Sequence, residues 1–533
     1  MPTHLPARWL AEVPARQIEP LFGDRRVACF AERPRSLWAM VEAACARAGD
    51  GEALVDGERR WTWRAIARSA GVVAAGLYAR GIVRGDRVLL LLRNRTEFVL
   101  ASLALARLGA IAVPVSVRSA PPEVAYVAAQ CGASGAICED DLVGHLPPVD
   151  EASTLRVRVS LSGVAGTEGF SSLVGTAPSV QPVHEEDTAV ILYTSGTTGR
   201  PKGAMLAHVN IVHSAMHYET CMALGACDRS LVAVPLSHVT GLVAQLWAMA
   251  RCAGALVLMD TFKAADCLAL AARERITHTV MVPAMYQLCL MQGGLDQHDL
   301  SAWRIGAYGG APMAPATIGA LAEALPDLRL MNAYGATETS SPATLLPPDL
   351  AATRSDSVGM AVPCGELCVV DPEGRPLPPG TIGEVWIRGP MVVRGYWDNP
   401  SATAQAFTDG WWHSGDLGRL DEQGFLQVLD RVKDVINRGG YKVFSSEVEA
   451  VLAQHPAVAE SAIVGYACPV LGERVHAFVS LRPRADTDAD ALRAFCAERL
   501  SDYKVPERWT LGHDPLPRNA NGKLMKRALR ERA

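Results

Sequence analysis

An apolar run, Ala189-Val190-Ile191-Leu192-Tyr193, opens directly into Thr194-Ser195-Gly196-Thr197-Thr198-Gly199-Arg200-Pro201-Lys202-Gly203, and no other stretch constrains this chain as tightly. The run has the length and apolarity of a buried strand. The segment after it holds three glycines and four hydroxyl side chains around a lysine. Such a loop suits phosphate. Glycines let backbone N–H groups crowd an anion, the Thr and Ser hydroxyls donate further hydrogen bonds, and Lys202 adds a point charge. It differs from a Walker loop, which needs Gly-Lys followed by Ser or Thr, because Pro201 precedes Lys202 and Gly203 follows it. A flexible surface turn is the competing reading of any Gly/Ser/Thr cluster.

The strand before the loop belongs to a wider alternation. Residues 52–66 predict a hairpin turning at Asp56-Gly57, followed by a helix over 65–80, a strand over 88–92, a helix over 97–108 and a strand over 111–115. The alternation resumes over residues 189–345, so the fold class is α/β with parallel-type subdomains in a large N-terminal domain. Residues 143–182, rich in Gly, Ser and Pro, predict a loop-rich connection. Beyond about residue 355, short β-like runs such as 384–388 and 425–429 predict a small β-barrel-like subdomain. The last stretch predicts a small, mobile α+β domain. Ser446 and Glu449 are spaced as a capping box for a helix through Gln454, with strands near 458–464 and 475–481 and a helix over about 489–500. The domains expected are residues 1–433 and 434–533.

Composition narrows the partners. With 51 basic and 56 acidic residues the formal charge is −5, which argues against nucleic acid. Thirteen cysteines lie scattered without a CxxC pair, which suits reduced thiols in a cytoplasmic protein. Residues 1–20 mix charges and prolines and show no apolar signal segment. Residues 231–250 carry no charged side chain, but Pro235, Ser237, His238, Thr240, Gly241 and Gln245 interrupt them, so a buried core helix is expected rather than a membrane span.

The 193–203 loop resembles the phosphate loop of the adenylate-forming superfamily, which comprises acyl-CoA synthetases, adenylation domains of peptide synthetases and luciferases. The resemblance extends over about residues 37–530, with the family's further signatures in order. It implies ATP-dependent activation of a carboxylic acid to an acyl-adenylate, with Mg2+, and transfer of the acyl group to CoA. Thr194, Ser195, Gly196, Thr197, Thr198, Gly199 and Lys202 would then hold phosphate. Asn332-Ala333-Tyr334-Gly335-Ala336-Thr337-Glu338-Thr339 resembles the adenine and metal segment: Tyr334 and Gly335 at the nucleotide, Thr337 at the α-phosphate, Glu338 on the metal. Gly309, Gly310, Ala311 and Pro312 resemble a second nucleotide segment, a plain tight turn being the alternative. Asp416 and Arg431 match the ribose-binding positions, and Lys433 the hinge about which the C-terminal domain rotates. Gly439, Gly440 and Tyr441 match the turn lining the CoA tunnel; Phe444-Ser445, just beyond, departs from a family pattern that often has proline there. Lys523, in Asn519-Ala520-Asn521-Gly522-Lys523, matches the adenylation lysine.

His238 matches the gate between acyl pocket and adenylate, the alternative being a hydrogen-bonded core histidine. Gly335 stands where acetyl-CoA synthetases carry tryptophan, so with Ser340 it predicts an open acyl pocket for a medium- or long-chain fatty acid or an aryl acid. His213 and His217 have the i, i+4 spacing of a zinc pair but lack a third ligand, and Ser501 with Lys504 imitates a nucleophile pair without its accompanying motifs. The reading is a stand-alone acyl-CoA synthetase. The alternatives are an enzyme that loads a carrier-protein phosphopantetheine and a catalytically inactive nucleotide sensor.

Overall fold

In the computed structural model the described residues are 9–149, 154–164, 166–176, 179–194, 200–518 and 524–533. Two α/β sheets dominate. The first has seven strands in the order Lys202–Ala207, Thr188–Thr194, Ile111–Pro114, Arg87–Leu91, Gly135–Cys138, Val157–Ser160 and Glu168–Gly169. All its pairings are parallel except that of the first two strands, which form an antiparallel hairpin around the phosphate-type loop. The central strands are buried and apolar, as parallel strands covered on both faces must be. Residues 143–182, expected as loops, contribute the last two of these strands; the stretch is too short in apolar residues to announce them.

The second sheet runs Met360–Ala361, Thr344–Leu345, Arg329–Tyr334, Ile305–Gly309, His278–Met281, Arg229–Val232, Ala255–Leu258, Glu52–Asp56 and Arg59–Thr62. Its interior pairings are parallel and its edges antiparallel. The uncharged stretch 231–250 begins in a strand rather than a helix. After a turn it continues as a π-helix, Thr240–Trp247, and an α-helix, Ala248–Cys252, nearly all buried. Among the described residues no helix is long and apolar enough to cross a membrane.

The helix Thr96–Leu108 illustrates how distant residues finish local structure. It is buried almost all round and ends on Gly109 at φ +66°. Its first N–H is capped by the Asp56 carboxylate, 3.0 Å from Thr96 N, and not by a neighbour in sequence.

By internal packing the chain divides into two compact units. One comprises residues up to 367 with 386–413 and 423–425; the other comprises 368–385, 414–422 and 426–533. The second unit holds the sheet of Tyr441–Val443, Ile436–Arg438, Gly472–Leu481 and Val458–Cys468, with Arg508–Gly512 parallel on Gly472–Leu481. Helices Ser445–Leu452 and Ala489–Ala497 supply Val448, Leu452, Leu492 and Cys496 to its core, the α+β character expected from sequence.

The predicted capping box is not formed. Glu449 accepts the Ile463 N–H at 2.8 Å and pairs with Lys526 at 2.6 Å, and the Ser446 hydroxyl donates to the Leu429 carbonyl. The helix start is held instead by buried Asp430, which accepts from the Ser445 N–H and hydroxyl. A carboxylate from another strand outcompetes the local pair because it satisfies the same orphan donors and fixes the helix to the sheet.

Candidate active site

Within the first unit, the strands Arg229–Val232, Ile305–Gly309 and Arg329–Tyr334 run parallel in one sheet, so His238, residues 309–312 and residues 334–340 all follow strand carboxyl ends. Ligands in open α/β sheets bind at that edge. Gly309 pairs with Ala333, and a Cβ on it would stand 2.3 Å from the Ala333 carbonyl oxygen, so close strand approach already demands glycine there. Gly310 takes φ +78°, and Ala311 and Pro312 are exposed.

Tyr334 ends the next strand, and Gly335 follows it. Glu338 follows in a short turn that Thr339 closes, accepting the Ala336 N–H at 2.9 Å. The space in front of Gly335 is not open. A Cβ there would meet Thr339 Oγ1 at 3.0 Å, Ala343 N at 3.1 Å and Pro342 Cα at 3.2 Å. A side chain at 335 therefore requires the 339–343 turn to give by a few tenths of an ångström. Ser340 is fully buried and its hydroxyl has no hydrogen-bond partner among the described residues.

Glu338 is buried. The hydroxyl of Tyr396 donates to its Oε1 at 2.9 Å, and the Val393 N–H donates to its main-chain carbonyl at 2.9 Å. Burial, then the adjacent Glu338 carboxylate, pushes the Tyr396 phenol well above its ordinary range, so it remains a neutral donor. The ammonium of Lys202 lies 5.1 Å from the centroid of the same ring. Thr194 and Lys202 face each other at the ends of the hairpin strands. Residues 195–199, the centre of the loop, lie outside the described residues, as does Lys523. The hairpin's flank is anchored where Tyr126 donates to the Pro201 carbonyl at 3.1 Å and Gln130 to that of Trp397 at 2.8 Å.

His238 is exposed, its Nδ1 3.3 Å from Thr240 Oγ1. The turn before it is fixed by buried Asn94. This side chain accepts the Leu236 N–H at 2.8 Å and donates to the carbonyls of Val234 and Met259, each at 3.0 Å. His213 and His217 are buried in their helix beside Phe30, and burial holds both neutral.

In the second unit, Asp416 and Arg431 are register partners on antiparallel strands, and Arg431 Nε lies 2.7 Å from Asp416 Oδ1. Asp416 is buried while Arg431 is partly exposed, so the carboxylate is fixed and the guanidinium retains a face toward solvent. Lys433 comes two residues later. Its carbonyl accepts from Arg530 at 3.0 Å, and Arg530 also pairs with buried Asp434 at 2.6 Å. Gly439 and Gly440, at φ +57° and +89°, make the two-residue turn between Ile436–Arg438 and Tyr441–Val443, a geometry that demands left-handed residues at both places. Tyr441 is exposed and stacks on Tyr503 at 4.7 Å. Lys504 is bound to Glu447 at 2.6 Å, an ordinary ion pair.

The AMP-binding enzyme model matches residues 41–397, and the model of the AMP-binding enzyme C-terminal domain matches residues 447–523. The chain belongs to the AMP-binding enzyme family. It is 36% identical over 478 residues to a 2-succinylbenzoate–CoA ligase of Geobacillus kaustophilus, covering 90% of this chain and 94% of that one. With a feruloyl-CoA synthase of an Amycolatopsis species it shares 34% identity over 88% of this chain and 94% of the relative. Among solved structures it is similar to the O-succinylbenzoate coenzyme A synthetase of Bacillus subtilis in complex with ATP and a magnesium ion. The TM-score is 0.82 at 28% identity, over 92% of this chain and 98% of that one. As an AMP-binding enzyme it is an acid–thiol ligase that joins a carboxylic acid to CoA through an acyl-adenylate, using ATP and Mg2+.

The residues of this AMP-binding enzyme suit Mg2+. Among the described residues no group of three or more His, Cys, Asp or Glu could cage a metal, and Mg2+ usually binds through one or two carboxylates plus waters and substrate phosphates. Glu338 could supply such a carboxylate: one oxygen is held by a neutral phenol and the other accepts no hydrogen bond from a described residue.

Sequence reasoning missed Tyr396, Asn94, Asp430 and Arg530. Each acts across a gap of at least 15 residues, where no local periodicity signals it. The Gly395-Tyr396-Trp397 triplet was the visible trace, an aromatic pair beside a glycine in a polar stretch.

Proposed function

We propose that this enzyme activates an aryl acid, or a medium- or long-chain fatty acid, and that the Glu338, Tyr396 and Lys202 cluster is the centre at which the adenylate forms. The observation carrying this reading is the buried Glu338 carboxylate, one oxygen left over, on the same phenol ring as the Lys202 ammonium. Bound at Glu338, Mg2+ would supply positive charge to phosphate oxygens. Lys202 and the loop hydroxyls hold phosphate beside it. Asp416 accepts the ribose hydroxyls, as a fixed, buried carboxylate can, and Arg431 holds it in place. The substrate carboxylate attacks the α-phosphorus, the bond to the bridging oxygen breaks, and pyrophosphate leaves with the electron pair. Lys523 stabilises the charge developing on the transferring phosphate. CoA thiolate then attacks the acyl carbon and AMP departs; Gly439, Gly440 and Tyr441 line its approach, after rotation about Lys433. His238 gates the acyl pocket.

The acid class is supported by the aromatic acyl groups in the names of the two relatives. We place the enzyme in the cytoplasm, supported by thirteen cysteines that are all unpaired. The deciding experiment is a panel of acids assayed for AMP and thioester with CoA. Aryl and longer acids should exceed acetate in kcat/KM, each added buried methylene contributing about 0.8 kcal/mol. A preference for acetate overturns the acid class, and AMP formation with a carrier protein but not with CoA overturns the acceptor.

A further inference from the structure

Residues 393–397 touch both halves of this centre. Met205 N donates to the Gly395 carbonyl at 3.1 Å and Trp397 N to the Gly203 carbonyl at 2.7 Å, with Tyr396 bridged to Ala204, so the segment is an added edge on the hairpin strand that begins at Lys202. On its other side the Val393 N–H binds the Glu338 carbonyl. Tyr396 itself is fixed three ways: its N–H donates to Thr403 Oγ1 at 3.0 Å, its ring meets Phe407 edge-on at 5.8 Å, and its hydroxyl ends on Glu338. A Cβ on the preceding Gly395 would fall 2.5 Å from Thr403 Cγ2, so the close packing that sets this ring requires glycine before it.

We infer that Tyr396 is a positioning residue that aims the Glu338 carboxylate at the metal and sets its distance from Lys202. The inference rests on the reading of Glu338 as the Mg2+ ligand. A phenol is chemically apt for the task. It fixes one carboxylate oxygen by donation yet adds no positive charge, so the full negative charge remains for a cation, whereas an arginine or lysine in its place would neutralise it.

The test is Tyr396→Phe, which keeps the ring under Lys202 and removes the hydroxyl. Mn2+ binding to enzyme saturated with the non-reacting analogue α,β-methylene-ATP is followed by electron paramagnetic resonance, beside the Mg2+ dependence of pyrophosphate release. Loss of a partner that orients a metal ligand should weaken Mn2+ binding by about 10-fold and raise the half-saturating Mg2+ concentration by a similar factor. The melting temperature should stay close to that of the parent, and in a Glu338→Gln background the same change should have no further effect. Unchanged Mn2+ affinity in Tyr396→Phe, with affinity lost in Glu338→Gln, overturns the inference alone. Unchanged affinity in both variants overturns the metal reading of Glu338 and the inference with it. A further 10-fold loss in the Glu338→Gln background also overturns it, since Tyr396 would then act on the metal by another route.

Discussion

Glu338 and Asp416 are both buried carboxylates, and they are held in opposite ways. The Glu338 carboxylate is restrained by a neutral phenol, that of Asp416 by the guanidinium of Arg431. On the proposed function, the difference reflects the group each would meet. A carboxylate destined for a divalent cation has to keep its charge uncompensated. One destined for ribose hydroxyls only has to accept hydrogen bonds, so a permanent cation can sit beside it and satisfy one oxygen. Burial alone does not tell the two roles apart; the charge of the partner does.

The sharpest way to break this contrast is to remove the charge from each. Glu338→Gln should lower acyl-adenylate formation by about 10²–10³, as loss of a charge facing a transition-state partner does. Asp416→Asn should act mainly on the KM for ATP, by about 10-fold, through one weakened set of hydrogen bonds. Pyrophosphate release measured against Mg2+ distinguishes them. Equal sensitivity of both variants to Mg2+ would erase the distinction.

The second comparison is between half-reactions. Lys523→Ala should cost adenylation about 10² while leaving thioester formation from supplied acyl-adenylate intact. Lys433→Pro should do the reverse, because proline fixes φ where rotation is needed. Parallel loss of both activities in either variant would refute the division of labour.

The next effect concerns stability of the first unit. Asn94→Ala leaves buried carbonyls of Val234 and Met259 without their donor and should destabilise by about 2–3 kcal/mol. Urea unfolding checks this, and a change below 0.5 kcal/mol, roughly the scatter of surface substitutions, would show that water replaces the amide.

The smallest contrast is in acid. In the first unit burial holds His208 and His278 at about 4 and His213 at about 3, with His217 lowered too, whereas among the described residues of the second unit His476 alone shows such lowering, also to about 4. The unfolded chain takes up these protons near pH 6.5 and the folded one resists, so the stability they confer is complete above about 6.5 and lost as pH falls toward 4. At pH 5 each of His208 and His278 should cost about 2 kcal/mol relative to neutral pH. Urea midpoints from pH 7 to 5 should fall, and His278→Gln should flatten the slope; an unaltered slope would remove that histidine from the account.

Much of this was legible in the residue string. The Gly/hydroxyl loop ending in Lys202 was read as a phosphate loop from residue type, while the Tyr334 to Glu338 segment and the Asp416 and Arg431 pair were singled out by their resemblance to the adenylate-forming superfamily, and Asp416 and Arg431 are register partners in the fold. Contiguity is the reason: a backbone loop that binds phosphate, or two facing strands, is built from neighbours whose identities the chemistry restricts. The capping box failed for the opposite reason. Ser446 and Glu449 have the correct spacing, but Asp430 was better placed for the helix donors, and Glu449 was drawn to Ile463 and Lys526. Gly335 carries a tertiary constraint that the residue string does not show, since a Cβ there would meet Thr339, Ala343 and Pro342 at 3.0–3.2 Å.

By itself, then, the sequence determined the α/β class and the order of the family's signature segments with the charged groups they carry, because these depend on local periodicity and on contiguous residue identity. Only the tertiary structure decided which partner each charge would have. It set a phenol against Glu338, an amide between two sheets at Asn94, a distant carboxylate under Ser445 and Arg530 on the Lys433 carbonyl. Partner choice in a packed interior goes to whichever donor or acceptor the folded backbone brings within about 3 Å, and that distance is a property of three dimensions.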